Sequence, residues 1–305
     1  MPVSGRIVCA VDGGGSKTLA VVLGPDGAEL GRAATGPSNY LAGEADRVVA
    51  NVTSAVEQAV KAAGAALPVD RLWVGLAGID RTGAREAIAN RLAVLTNDLR
   101  LTNDARLLFG AFPNETGIVL IAGTGSIALG RDRHGETARA GGWGDLIGDE
   151  GSGYDLGRQG IQAASRAVDG RELQTSLVSA LLAHGGLDEP YQIIERVYRE
   201  RDKATIAECA RLVFAAAEAY DPVAVRLVQN GAAELAMAAG AVEKALDFHG
   251  SAVSLVLAGS LLVAQGDYRR MVIERIEQQF DLGAVHIVDE PATIAARFLA
   301  GSVSS

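Results

Sequence analysis

The sequence predicts an α/β fold in which a βββαβαβα unit occurs twice, giving two similar domains with a cleft between them. Three observations support this prediction. An apolar strand at 8–11 runs directly into the Gly-rich turn DGGGSKT, and a second strand at 118–121 runs into the turn GTGS. The fourth strand of each half also ends in the same tripeptide, Leu-Ala-Gly, at 76–78 and 257–259.

The first half is predicted to contain three strands, a helix, a strand, a helix, a strand and a helix, with strands at 6–11, 19–23, 28–34, 72–76 and 99–101. Its first helix is indicated by Ala45 and five valines up to Val60, which recur at three- and four-residue spacing on one face. The second half repeats this order, with strands at 118–121, 127–129, 137–140, 254–257 and 285–288 and helices at 153–168, 269–280 and 291–299.

The stretch 171–248 has no counterpart in the first half and is predicted to be a helical insertion. We therefore expect one domain at 1–116 plus 290–305, with the terminal helix packing back on it. The second domain is expected at 117–289 and carries the insertion.

The composition is that of a soluble globular protein, because 49% of the 305 residues are hydrophobic and the formal net charge is −9. This acidity argues against a nucleic-acid partner, which would require a basic surface. The longest apolar run, 252–264, is too short to cross a membrane. Cys9 and Cys209 form no CxxC motif, which argues against a disulfide framework or structural zinc site and indicates a reducing, cytoplasmic compartment. The four histidines show no metal-ligand spacing and are assigned to surface or core.

The two Gly-rich turns are candidates for holding a polyphosphate from two sides, because glycine tolerates positive φ and lets backbone N–H groups approach an anion. A P-loop does not fit, since it requires glycine where this chain has Ser16 before Lys17. A dinucleotide fingerprint does not fit at 123–128, since polar residues follow instead of a helix. Both turns therefore resemble hairpins, which are also rich in glycine and serine for purely structural reasons. The candidate hydroxyl donors are Ser16, Thr18, Thr124 and Ser126.

Several single residues have a functional and a structural interpretation. Asp12 places a carboxylate beside the first turn, where a magnesium ion would be bound. Asp104 follows a strand at the edge where open α/β sheets bind ligands, yet Asn103-Asp104 before an apolar segment is also typical of a helix N-cap. Asn39 is either a ligand contact or a turn residue. Trp143 lies among glycines, so a ligand or an opposing domain must cover it.

Taken together, these segments resemble the superfamily of sugar kinases, actin and Hsp70 chaperones. Within it, the chain is most similar to the N-acetylglucosamine kinase branch of the BadF/BadG/BcrA/BcrD ATPase family. The matching segments occur in the family's order along nearly the whole chain: DGGGSKT at Asp12, GPSNY at Gly36, GLAG at Gly75, TNDA at Thr102, GTGS at Gly123, GGWGDLIGDEGSGY at Gly141 and LAGS at Leu257.

The resemblance implies two ribonuclease H-like, actin-like ATPase domains and an ATP-dependent kinase that phosphorylates the 6-hydroxyl of N-acetylglucosamine. Asp104 is then the catalytic base, and Asp12 holds Mg²⁺ through water. The implied sugar contacts are Asn39, Ala77, Gly78, Asp104, Trp143 and Asp149, with Glu150 beside them. The implied contacts with ATP are Gly13, Gly14, Gly15, Ser16, Lys17, Thr18, Gly123, Thr124, Gly125, Ser126, Gly259 and Ser260.

Three other functions stay open at this stage. Glucosamine is the close alternative substrate, because sequence does not distinguish an acetamido group from an ammonium group. An activator ATPase with an iron–sulfur cluster is disfavoured because the chain has only two cysteines, and holding a cluster takes several. A sugar sensor without turnover would need a DNA-binding module, which the acidity disfavours. A homodimer is compatible with the sequence.

Overall fold

The structure is a computed structural model that describes residues 6–40, 45–80, 83–199 and 202–301. The chain divides into two compact units: unit 1 comprises Met1–Thr116 with Glu290–Ser305, and unit 2 comprises Gly117–Asp289. The outer ends of the predicted first domain, 1–5 and 302–305, lie outside the described residues. Each unit contains one five-stranded mixed sheet with helices packed on it, which confirms the predicted α/β class.

The sheet of unit 1 has the strand order β3-β2-β1-β4-β5. β1, β2 and β3 form antiparallel hairpins, whereas β4 and β5 extend the sheet in parallel with β1. The carboxyl ends of three parallel strands therefore meet at one edge. The strands are β1 (Val8–Gly13), β2 (Thr18–Leu23), β3 (Glu29–Thr35), β4 (Arg71–Leu76) and β5 (Leu99–Thr102).

Helices cover both faces of this sheet, since alternate residues of its strands belong to different apolar clusters. α1 (Ala45–Ala62) buries its valine face in one cluster, together with part of α2 (Ala84–Leu92). On the other face, the terminal helix α11 (Pro291–Ala300) packs with Leu107 and the indole of Trp73.

The segment after β5 differs from the predicted helix, because Asp104–Ala111 is a 3₁₀ helix. Its tighter turns are stabilised by bonds such as Arg106 N–H to Asn103 O, at 3.1 Å. Gly110 lies against α11, where a Cβ would approach the Cα of Ala295 to 3.1 Å. Apolar periodicity could not distinguish this short, closely packed segment from an α-helix.

Unit 2 repeats the connectivity of unit 1, with the strand order β10-β9-β6-β7-β8. β6, β7 and β8 form antiparallel hairpins, and β9 and β10 continue in parallel with β6. The strands are β6 (Gly117–Ala122), β7 (Ser126–Arg131), β8 (Thr137–Gly141), β9 (Val253–Ala258) and β10 (Leu282–Val288).

The helices of unit 2 comprise those of the repeated unit and those inserted between α3 (Gly153–Val168) and β9. After β9 come α9 (Ser260–Ala264) and α10 (Gly266–Glu277). α10 begins and ends three residues before the predicted helix, because Phe280 packs on the core from a turn rather than from the helix. The inserted helices are α4 (Leu177–Gly185), α5 (Gln192–Arg199), α6 (Lys203–Glu208), α7 (Ala210–Glu218) and α8 (Pro222–Ala245). Among the residues that the structure describes, no helix is both long enough and apolar enough to cross a membrane.

Truncating Leu299 in α11 should destabilise unit 1. Leu299 is 5% exposed, so Leu299→Ala should lower the free energy of unfolding by about 2–4 kcal/mol. The measurement is urea unfolding followed by Trp73 fluorescence in a Trp143→Phe background, which leaves one tryptophan in the chain. Val94→Ala is the control, since Val94 is 75% exposed. Equal losses for the two variants would contradict this packing.

Candidate active site

Two aspartates lie at the carboxyl edge of the unit 1 sheet. In the strand register, Asp12 of β1 lies opposite Gly75 of β4, and Gly75 lies opposite Thr102 of β5. Asp104 follows two residues after Thr102. Gly75 permits this approach, because a Cβ at that position would be 2.9 Å from the Cα of Asp104. The parallel register and one glycine therefore bring together two carboxylates that are distant in sequence.

Both carboxyl groups have raised pKa values. The pKa of Asp12 is raised from 3.8 to about 6, chiefly by burial and also by the negative charge of Asp104, while Lys17 opposes the shift. Burial also raises the pKa of Asp104, with a smaller contribution from Asp80, while the backbone N–H of Ala105 opposes the shift. Two neighbouring, largely buried carboxylates create a demand for a cation or a proton. Such an arrangement suits a general base or a site for a hard metal ion.

The sequence left open whether Asp104 is a helix N-cap. The structure gives that position to the residue before it. Asn103 is the N-cap of the 3₁₀ helix, and its side-chain oxygen accepts a hydrogen bond from Ala105 N–H at 3.1 Å. Asp104 is the first residue of the helix.

The Gly-rich turn after β1 is bonded to the loop that carries Asn39. The carbonyl oxygen of Gly14 accepts hydrogen bonds from the N–H groups of Ser38 and Asn39, at 3.0 and 3.1 Å. Within the turn, Gly14 N–H donates to Lys17 O at 3.0 Å. Ser16 and Lys17 are exposed at its tip. The structure therefore brings the predicted phosphate turn and the predicted sugar contact Asn39 into one assembly.

Thr18 has a structural task in this assembly. It is fully buried, and its hydroxyl donates to Gly36 O at 2.6 Å and lies 2.5 Å from the Ser38 hydroxyl. Its side chain thus holds the Asn39 loop against the turn. Sequence patterns could not distinguish it from Ser16, because the type of a side chain does not reveal its burial.

Ala77 and Gly78 complete this edge of unit 1. Ala77 N–H donates to Gly13 O at 3.0 Å, and Tyr40 N–H donates to Ala77 O at 2.7 Å. Gly78 has a φ of +79°, and a Cβ on it would lie 2.5 Å from Tyr40 O. Glycine is required there for both reasons.

The five glycines at the centres of the two turns correct one expectation. Gly78 and Gly259 have positive φ, but these five do not, so the predicted positive φ is wrong at these positions. At Gly13 and Gly125 the structure requires space instead: a Cβ on Gly125 would lie 2.9 Å from the Asp149 carboxylate. The five are Gly13, Gly14, Gly15, Gly123 and Gly125.

In unit 2, the GTGS turn is enclosed by the segment that leads into α3. Gly153 N–H at the start of α3 donates to Gly123 O at 2.8 Å, and Tyr154 N–H donates to Thr124 O at 3.2 Å. The Ser126 hydroxyl donates to Glu150 O at 2.7 Å. The turn is therefore fixed from behind, and Ser126, like Thr18, has its hydroxyl engaged within the protein.

Asp149 is part of the segment that fixes this turn. It is 3% exposed and has a φ of +63°; its Oδ1 accepts from Ser126 N–H at 3.2 Å. Its Oδ2 accepts from Lys203 Nζ at 2.5 Å. The structure thus places this predicted sugar contact against the phosphate turn. Sequence reasoning missed Lys203, which comes from the inserted helix α6 and belongs to no motif.

A cavity of about 410 Å³ opens beside the same turn. Gly123, Thr124 and Ser260 line it, so it joins the second phosphate turn to the LAGS segment. Ser260 is also the first residue of α9, with Gly259 as its N-cap. The insertion and α9–α10 supply further polar lining that the sequence did not identify, namely Glu208, Arg211 and Gln265.

Trp143 is 65% exposed. The guanidinium of Arg139 lies 4.9 Å from its ring centroid, a cation–π contact. Trp143 also lines a second cavity of about 290 Å³ with Glu150 and Glu234. Burial raises the pKa of Glu234, and the charges of Glu150 and Asp155 add to this effect. An exposed aromatic face of this kind is available to a ligand.

Two mixed sheets of one connectivity, each with a Gly-rich turn after its first strand, define the actin-like ATPase class. The chain belongs to the BadF/BadG/BcrA/BcrD ATPase family, whose model matches residues 10–290. This membership confirms the resemblance found in the sequence.

Curated relatives and a solved structure agree with this membership. The N-acetylmuramic acid/N-acetylglucosamine kinase of Clostridium acetobutylicum is 34% identical over 84% of this chain and 86% of its own length. The N-acetyl-D-glucosamine kinase of Dictyostelium discoideum is 28% identical over 75% and 76%. A crystal structure from Chromobacterium violaceum, described as a candidate N-acetylglucosamine kinase, has a TM-score of 0.74 and 29% identity, covering 98% of this chain and all 100% of its own.

The raised pKa of Asp12 predicts a pH-dependent stability. The folded state holds the proton up to about pH 6 and the unfolded state only up to 3.8, so stability is lost as the pH rises through this window. Asp12→Asn should therefore increase the free energy of unfolding by about 1–3 kcal/mol at pH 7.5, and by much less at pH 4.

Urea unfolding across this pH range measures the effect. Glu57→Gln on the exposed surface of α1 is the control and should change little at either pH. An increase for Asp12→Asn that is the same at both pH values would show that the ionised carboxylate is not the cause.

Proposed function

We propose that the protein is an ATP-dependent kinase that transfers the γ-phosphoryl group of ATP to the 6-hydroxyl of N-acetylglucosamine. The observation that carries this proposal is the placement of Asp12 and Asp104 at one sheet edge, beside a Gly-rich turn bonded to the Asn39 loop. Two curated relatives act on N-acetylated amino sugars as kinases, which supports the same substrate class.

Asp104 is proposed as the general base. As the 6-hydroxyl attacks the γ-phosphorus, its proton passes to the Asp104 carboxylate, the bond to the β–γ bridging oxygen breaks, and ADP leaves. Burial and the nearby Asp80 raise the pKa of Asp104, which makes it a stronger base than an exposed aspartate. The backbone N–H of Ala105 opposes this rise in pKa, because it stabilises the ionised carboxylate.

Asp12 is proposed to hold Mg²⁺ through water. The fit is supported by the donor chemistry, because a largely buried carboxylate with a raised pKa and a second carboxylate beside it offers hard oxygen ligands. Held by Asp12 at the end of β1, the ion would neutralise charge on the phosphate oxygens. Lys17 adds a positive charge at the exposed tip of the turn.

The nucleotide contacts are proposed for each unit separately. In unit 1, we propose that the backbone of Gly13, Gly14 and Gly15, together with Ser16 and Lys17, contacts phosphate. Thr18 acts through the loop that it holds. In unit 2, Gly123, Thr124 and Gly125 are proposed as phosphate contacts, with Ser126 and Asp149 fixing their turn.

The 410 Å³ cavity is proposed to take the adenosine moiety, with Gly259 and Ser260 at one wall. Arg211 and Glu208 of the insertion offer it polar contacts that the motif residues lack.

The sugar is proposed to contact Asn39, Ala77 and Gly78 of unit 1 and the exposed ring of Trp143. Asp149 is also proposed as a sugar contact. Because it is 3% exposed and paired with Lys203, this role requires the ion pair to open when sugar binds.

We further propose a cytoplasmic location, where ATP is available and the thiols of Cys9 and Cys209 stay free. The net charge of −9 supports an absence of nucleic-acid partners. The homodimer stays a prediction.

A sugar-dependent ADP-release assay tests the activity. N-acetylglucosamine should give turnover, and N-acetylmuramic acid, glucosamine and glucose complete the panel. A preference for glucosamine would overturn the acetamido assignment while keeping the kinase. ATP hydrolysis that is independent of every sugar would favour the activator-ATPase class and contradict the kinase proposal.

Removing the proposed base should lower turnover without removing the sugar site. Asp104→Asn keeps the size of the side chain but accepts no proton, so kcat should fall by about 10²-fold or more. Equilibrium binding of N-acetylglucosamine should stay within a few-fold of wild type.

Asp80→Asn is the matched control, because the Asp80 side chain is 62% exposed and acts on Asp104 through its charge. It should keep kcat and move the acid limb of the pH–rate profile to lower pH, since loss of a negative neighbour lowers the pKa of Asp104. Near wild-type turnover in Asp104→Asn would exclude it as the base.

A further inference from the structure

Two histidines of unit 2 meet on its surface, although they are 115 residues apart in sequence. His134 lies in the turn between β7 and β8, and His249 lies in the loop between α8 and β9. Their Nε2 atoms are 3.2 Å apart. Asp247 Oδ2 is 2.8 Å from His249 Nε2. The sequence did not predict this cluster, because its residues lack the helical spacing of metal ligands.

Two polar side chains approach the same nitrogen, His249 Nε2. His249 Nε2 has either one lone pair or one proton, yet both His134 Nε2 and the Asp247 carboxylate approach it. A single proton on that nitrogen can donate well to only one of them. A cation would be a common partner for two imidazole nitrogens and a carboxylate oxygen, and all three ligand atoms lie within 4.8 Å of one another.

Hydrogen bonds from backbone N–H groups to one buried side chain hold the two loops in place, independently of the imidazoles and the Asp247 carboxylate. Asp132 is 4% exposed, and its Oδ1 accepts from His134 N–H at 2.9 Å. Its Oδ2 accepts from Asp247 N–H at 3.4 Å, which links the loop after α8 to the β7–β8 turn. One buried carboxylate therefore fixes the ligand-bearing loops relative to each other.

The separation of the two imidazole nitrogens matches a particular class of ion. Two nitrogens bound to tetrahedral zinc at about 2.0–2.1 Å are separated by about 3.3 Å. The 3.2 Å between the two Nε2 atoms is close to this value. Imidazole nitrogens favour zinc and related first-row ions, whereas magnesium and calcium favour an all-oxygen shell.

We propose that His134, His249 and Asp247 bind one first-row divalent cation of the zinc class, with a water molecule completing the shell. The ion ties the β7–β8 turn to the loop that follows α8, and so stabilises unit 2. This site is independent of the proposed kinase chemistry, because none of its ligands belongs to the phosphate turns or the proposed sugar contacts.

The test uses the full-length protein stripped of metal with a chelator. Zn²⁺ at about a hundred times its dissociation constant should raise the thermal unfolding midpoint by about 4 °C or more, and Mg²⁺ at the same concentration should not. Titration calorimetry should give one Zn²⁺ per chain. The Co²⁺ form should show the intense visible absorption of a four-coordinate ion.

The variants separate loss of a ligand from loss of the fold. His249 has a φ of +51°, a region that asparagine tolerates, so His249→Asn removes the imidazole with little backbone penalty. His249→Asn and His134→Asn should each weaken Zn²⁺ binding at least about tenfold while keeping the metal-free unfolding midpoint.

His184→Asn in α4 is the control, since His184 lines a separate small cavity near Cys209. It should leave Zn²⁺ binding unchanged. The proposal is overturned if wild type shows no midpoint shift, if Mg²⁺ matches Zn²⁺, or if the His134 and His249 variants bind Zn²⁺ as wild type does.

Discussion

The structure of unit 1 depends on holding two carboxylates close together in a largely buried position. Asp12 and Asp104 reach the same sheet edge because β1, β4 and β5 run parallel in a fixed register. Gly75 removes the side chain that would push the 3₁₀ helix away, and Asn103 caps that helix. Burial then raises both pKa values, so the ionised carboxylates carry an electrostatic cost in the folded state. A bound ligand would relieve this cost. Such a cost is expected at a site that works on charged substrates.

The two units hold their Gly-rich turns in place with different chemical groups. In unit 1, the Gly-rich turn is fixed by hydroxyls, with Thr18 bonded to Gly36 and close to Ser38. In unit 2, a carboxylate performs the same task, since Asp149 receives the Ser126 N–H and pairs with Lys203. A buried charge is tolerated there because both of its oxygens have partners. The GDEGS segment is therefore explained by its work on the turn, whatever else it contacts when sugar is present.

Local patterns were enough to predict the α/β class, the repeated connectivity and the strands that carry the turns. They were also enough to place Asp12 and Asp104 at the sheet edge, because strand ends are readable from apolar runs. What could not be predicted depends on packing. The 3₁₀ helix follows from its close approach to α11, the buried hydroxyl of Thr18 from a loop 20 residues away, and the lining by Arg211 from an insertion without a motif. The prediction of positive φ at the turn glycines was wrong because glycine also supplies space, as at Gly13 and Gly125, and the sequence does not show which property is used.

Donor chemistry separates the two ion sites proposed for this chain. The edge of unit 1 offers carboxylate oxygens with raised pKa values, which suit a hard ion that keeps its water and binds phosphate oxygens. The surface of unit 2 offers two imidazoles at the spacing of a tetrahedral shell, which a hard ion does not favour. Zinc would therefore bind at His134 and His249 before it binds at the Asp12 edge. Selectivity of this kind needs no difference in overall charge, since it follows from ligand type and spacing alone.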